Sequence, residues 1–161
     1  MINREQSGTP GASTYLEDEA ATLAFGEKIA AALDPGLFIS LSGELGTGKT
    51  TLARGILRGL GYGGKVKSPT YTLVELYKLS RLDLYHFDLY RFNDPQELLD
   101  AGFQEHFGGG NICLVEWPER VSGLLPQADL KIALVAERAG RRLKIVAETE
   151  RGRHCLKKLD I

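Results

Sequence analysis

The sequence predicts an α/β fold, with a central mixed, mainly parallel sheet flanked by helices and with added antiparallel strands. Three observations predict it. Short apolar runs such as "LFISL" and "ICLVEW" alternate with segments of helical periodicity, as strands buried between helix layers do. A glycine-rich turn joins one of these strands directly to a helix. Near the end, "ADLKIALVA" and "RLKIVAE" alternate apolar and polar residues on either side of "ERAGR", which marks a hairpin and hence a mixed sheet.

The elements follow in order. Residues 1–13 are rich in Gly, Ser, Thr and Pro and read as a disordered extension. "LEDEAATLAFGEKIAAAL" places Leu16, Ala20, Leu23, Ile29, Ala30 and Leu33 at helical spacing behind a cluster of acids, and "DPG" ends it. "TTLARGILRGLG" gathers Leu52, Ile56, Leu57 and Leu60 on one face and stops at Gly61. "GYGGKVKSPTYT" is a loop, and "LVELYKL" and "LDLYHFDLY" read as strands. In "DPQELLDAGFQEHF" an Asp-Pro pair opens a helix and "GGGN" breaks it. The domain is expected over 14–150, with 151–161 a basic tail.

Length and charge narrow the function. With 161 residues and a net charge of -1, the chain fills one domain and lacks the basic excess of a general nucleic-acid binder. No apolar run is long enough for a bilayer, and the first twenty residues lack the apolar core of a signal peptide. Two cysteines, Cys113 and Cys155, make no disulfide framework, so a cytoplasmic setting is expected.

The glycine turn carries the chemistry. Gly43, Gly48, Lys49 and Thr50 match G-x-x-x-x-G-K-[ST] at every fixed position, with a strand before and a helix after. Glycines let backbone N–H groups curl around an anion, and the helix start adds unpaired N–H groups and the positive end of its dipole. The whole turn, Gly43, Glu44, Leu45, Gly46, Thr47, Gly48, Lys49, Thr50 and Thr51, is therefore expected to cradle a nucleoside triphosphate. Lys49 is expected to face the β- and γ-phosphates, the Thr50 hydroxyl can sit on Mg²⁺, and Thr51 can reach toward the α-phosphate. Phosphoryl transfer also needs a further metal anchor and a group that places the attacking water. Asp88 ends "LYHFD" and Glu116 ends "ICLVE", where a carboxylate can reach a metal; each also fits a solvated acid at a strand end. Thr70, with Ser68 and Thr72, lies in a polar loop placed like a switch segment, or in an ordinary turn. Trp117 reads as an anchor after a strand or an aromatic beside the nucleotide, and His86 as a packed strand residue.

Four blocks, "GELGTGKTT", "SPTYTLVE", "HFDLYR" and "LVEWPE", in this order and spacing, closely resemble the bacterial TsaE (YjeE) family, over most of the chain from about Leu16 to Val146. The resemblance implies a small P-loop NTPase fold and an Mg-dependent ATPase required for threonylcarbamoylation of adenosine 37 in tRNAs that read codons starting with A. It implies work with TsaD and TsaB, ATP hydrolysis resetting the modifying complex, and only indirect contact with tRNA. Carried over by motif, Glu116 is the magnesium-binding glutamate, Asp88 the acid essential for hydrolysis, Thr70 the switch-like threonine and Trp117 the family tryptophan. Glu19 and Thr22 resemble the segment near the base, and Arg141 a late arginine near the nucleotide. Competing readings are a small-molecule kinase, a GTPase and a nucleotide sensor. The kinase lacks a visible arginine-bearing lid and the GTPase an N-K-x-D motif. No arginine is obviously placed as a finger, with Arg54, Arg58 and Arg91 as candidates, so slow hydrolysis by the isolated chain is expected.

Overall fold

The structure, a computed structural model, describes residues 3–4, 10–67, 69, 73–100, 102–121 and 123–159. Its strands are β1 (Asn3–Arg4), β2 (Gly11–Leu16), β3 (Phe38–Ser42), β4 (Val74–Lys78), β5 (Asp83–Asp88), β6 (Ile112–Glu116), β7 (Leu130–Glu137) and β8 (Gly140–Ala147). Its α-helices are α1 (Glu19–Ala30), α2 (Lys49–Gly59), α3 (Pro95–Asp100) and α4 (Glu150–Lys158). The strands form one sheet in the order β1-β2-β8-β7-β3-β6-β5-β4. The β7-β3, β3-β6 and β6-β5 pairings are parallel and central, and the pairings outside them are antiparallel.

The sequence explains this arrangement. Ile39 and Leu41 on β3, with Leu114 on β6 and Ile132 on β7, are almost fully buried on the face that α1 and α2 cover. Phe38 on β3 and Cys113 and Val115 on β6 face the other side, where Phe87, Leu98, Phe103 and Val121 close a second cluster. Full burial of each such aliphatic side chain contributes about 1.5–3 kcal/mol relative to exposure. The helix pair α1 and α2 packs backbone to backbone. A Cβ on Gly55 would lie 2.2 Å from the Leu23 carbonyl oxygen, so only glycine permits this approach.

Two expectations from composition are corrected. Residues 1–13 are not all an unstructured extension: Asn3–Arg4 and Gly11–Ser13 belong to strands, and the segment expected to start a helix at Leu16 is still strand there. Ala12, Thr14 and Leu16 alternate inward and pair with β8, which gives a Gly- and Ser-rich segment the backbone partners and burial it needs. Nor is the basic tail free over 151–159. Arg151–Lys158 lie in α4, which buries Cys155 and Leu156, with Leu159 buried just beyond it. Asp129 anchors this end. Its Oδ1 accepts from the Thr149 hydroxyl at 2.7 Å and its Oδ2 from the Phe38 N–H at 2.8 Å. Among the described residues no helix is long and apolar enough to cross a membrane.

Candidate nucleotide site

The parallel centre brings three strand ends together. Leu41 pairs with Glu116 and Glu116 with Asp88, so β3, β6 and β5 deliver the glycine turn and two carboxylates to one edge of the sheet. Ligands of open α/β sheets bind at this carboxyl edge. A cleft of about 360 Å³ lies there. Leu45, Gly46, Gly48, Lys49, Thr50 and Thr51 form its floor, and Asp88, Glu116 and Trp117 one wall, with Glu19 and Arg141 also lining it.

The turn itself is built around its glycines and one lysine. Gly48 caps α2 in the left-handed region, φ 106°, with no side chain bonding to the helix start. The first N–H groups of α2 therefore have no side-chain cap. Lys49 is 5% exposed, and its Nζ donates to the carbonyl oxygens of Gly43 and, at 3.0 Å, Glu44. The Trp117 ring covers it, with Nζ 4.4 Å from the ring centroid. Burial pulls the ammonium pKa below the usual lysine value, against the opposing fields of Glu116, Asp88, Glu119 and Glu44. Trp117 is itself held at φ 59°, rare for a bulky residue.

Asp88 and Glu116 are 6% and 3% exposed. Asp88 Oδ1 accepts from the Tyr90 N–H at 2.9 Å. Arg141 comes from the start of β8, across the sheet. A Cβ on Gly48 would lie 2.8 Å from its Nη1, so the guanidinium stands directly against the turn. Nη1 donates to the Thr22 hydroxyl at 3.1 Å, and Nε is buried without a partner among the described residues. Thr22, fully buried, thus supports Arg141 from behind and does not line the cleft. Glu19 is joined to α2 through Thr51 and Arg54, at 3.5 and 3.7 Å. Gly43, Glu44 and Thr47 shape the turn without lining the cleft, Thr47 Oγ1 donating to the Glu44 carbonyl at 2.8 Å. Arg54, Arg58 and Arg91 do not line it. Thr70, Ser68 and Thr72 lie outside the described residues.

Two buried carboxylates and a threonine hydroxyl beside a phosphate-type turn suit a hard cation that keeps several waters, as Mg²⁺ does. Residues 16–143 match the family model described as "Threonylcarbamoyl adenosine biosynthesis protein TsaE". The chain belongs to the TsaE family. A TsaE protein of Haemophilus influenzae is 43% identical over 147 residues, 88% of this chain and 93% of the relative. One of Bacillus subtilis is 44% identical over 119 residues, 74% of this chain and 73% of the relative. The crystal structure of YdiB from Bacillus subtilis superposes with a TM-score of 0.82 at 30% identity, covering 96% of this chain and 97% of that one. TsaE proteins carry names that place them in tRNA threonylcarbamoyladenosine biosynthesis.

Sequence reading assigned no role at the site to His86. It is fully buried, and its Nε2 lies 2.6 Å from Glu116 Oε2. Strand pairing between β5 and β6 creates that contact, and nothing local in "LYHFD" announces it.

Proposed function

We propose that this TsaE-family protein binds ATP with Mg²⁺ in the cleft and hydrolyses it, in the service of threonylcarbamoylation of adenosine 37 in tRNA. The observation that carries this reading is the start of α2. A helix N-terminus without a side-chain cap, a left-handed glycine and a buried lysine converge on a cleft walled by two carboxylates. The Lys49 ammonium is held by carbonyl oxygens and a ring face at the mouth of the turn, where it can make charge-assisted hydrogen bonds to a triphosphate. Thr50 and Glu116 would hold the Mg²⁺, which supplies charge neutralisation for the β- and γ-phosphate oxygens. Asp88 serves the hydrolysis step, its carboxylate oriented by the Tyr90 N–H. Arg141 adds a positive charge from the hairpin side, its guanidinium braced by Thr22. The proposed partners are TsaD and TsaB, whose complex the hydrolysis resets, and contact with tRNA is indirect.

Phosphate release from Mg-ATP tests this, measured for the chain alone and with TsaD and TsaB. Slow release that rises with the partners is the expected result. Clean ATP binding without stimulation would overturn the partner-dependent ATPase, and a phosphorylated metabolite in place of free phosphate would favour a kinase. Asp88→Asn should lower hydrolysis by about 10²-fold or more and leave ATP affinity within a few-fold of wild type.

A further inference from the structure

His86 has no part in the chemistry described so far. It stands on β5 two residues before Asp88, so both side chains leave the same face of the strand. Opposite His86 on β6 is Leu114, and opposite Asp88 is Glu116. Glu116 is therefore diagonal to His86, one pleat nearer the cleft, within reach of a long side chain. The two meet at 2.6 Å between Nε2 and Oε2. Both are buried, and Nδ1 of His86 has no hydrogen-bond partner among the described residues. A proton on Nδ1 would be buried without an acceptor, which costs about 1–3 kcal/mol, whereas a proton on Nε2 meets a carboxylate oxygen. The ring therefore donates from Nε2. An apolar side chain could fill the same space without stranding a ring nitrogen, so packing alone does not account for a histidine here.

We propose that His86 is the positioning residue for Glu116. By engaging Oε2 it fixes the rotamer of the carboxylate and leaves Oε1, which makes no hydrogen bond among the described residues, as the oxygen free to meet a divalent cation in the cleft. The inference rests on the reading of the cleft as a magnesium–nucleotide site. His86 touches neither nucleotide nor metal; it acts through Glu116, as a group hydrogen-bonded behind a metal ligand does.

The test uses Mn²⁺ as the probe, titrated into the full chain holding a non-hydrolysable ATP analogue, with the free Mn²⁺ signal read by electron paramagnetic resonance. His86→Phe keeps a buried ring and removes the donor; His86→Gln restores a donor. Half-saturation by Mn²⁺ should rise about 10-fold or more in His86→Phe and return most of the way in His86→Gln. Metal-free affinity for the analogue should stay near wild type in both. Unchanged half-saturation in His86→Phe, equal losses in the two variants, or a parallel fall in metal-free affinity would each overturn the proposal. If His86→Phe does not fold, His86→Leu takes its place in the same comparison. A wild-type chain that binds no ATP analogue would instead overturn the nucleotide reading. A wild-type chain that binds both probes while His86→Phe matches it overturns the role of His86 alone.

Discussion

Helices α1 and α4 begin differently from α2. The Asp18 carboxylate accepts from the Ala21 N–H at 2.8 Å, and the Thr149 hydroxyl from the Gly152 N–H at 3.0 Å, so α1 and α4 close their starts with their own side chains. At α2 the capping position is Gly48, left-handed and without a side-chain bond. All three starts present the same unpaired N–H groups. Two satisfy one of them locally, and the third turns its groups toward a cleft. The difference teaches where the proposed function resides in this fold. It lies where the chain omits a stabilising device it uses elsewhere, and α2 is held instead by the burial of Leu52, Ala53, Ile56 and Leu57 against α1 and the sheet.

That contrast can be broken at three points. Lys49→Ala removes the charge beside the open start, and nucleotide affinity should fall about 10–100-fold, the value of a charge-assisted hydrogen bond of about 1.5–3 kcal/mol. Calorimetric titration with ATP checks it, and an unchanged dissociation constant would detach Lys49 from the phosphates. Gly48→Ala forces a Cβ into a left-handed position and against Arg141 Nη1, at a cost of about 1–2 kcal/mol for the conformation alone. ATP affinity should fall about 10-fold, together with the melting temperature; wild-type values for both would show that the turn does not need glycine there. Thr149→Ala opens the start of α4 as α2 is open. It should cost about 1 kcal/mol for the cap and about 1–3 kcal/mol more for Asp129 Oδ1, which loses its hydroxyl donor. The melting temperature should fall by about 4 °C or more, with ATP affinity within twofold of wild type. A loss of affinity in this variant would erase the distinction between the two kinds of start.

What the sequence made legible follows the range of the interactions. The glycine turn is contiguous, so its spacing and its flanks could be read directly from "LSGELGTGKTT". The late hairpin and the buried β6 were readable for the same reason, each being written in local alternation or a single apolar run. The order of strands was not, because β3 takes its neighbours β6 and β7 from far along the chain. The His86–Glu116 contact depends on the same parallel register, and the support of Arg141 by Thr22 joins residues 119 positions apart. Composition misled at both ends. Gly11–Ser13 looks unstructured by residue type and Leu16 helical by spacing, yet Ala12, Thr14 and Leu16 carry a period of two. Arg151–Lys158 looks like a solvated basic run, but Cys155 and Leu156 are spaced to bury one edge of a helix. The signal in each case was a short alternation of modest side chains, which residue counts average away.

The placement of Arg141 has a consequence for biogenesis. The glycine turn leaves the ribosome long before the strand that carries Arg141. Strand β2 must wait for the same late strand, since β8 is the partner that ties it to the rest of the sheet. A nascent chain therefore holds its phosphate turn long before it can finish the cleft around it. The site is complete only once β8 has been made, so a product that stops before that strand would carry the motif without the pocket.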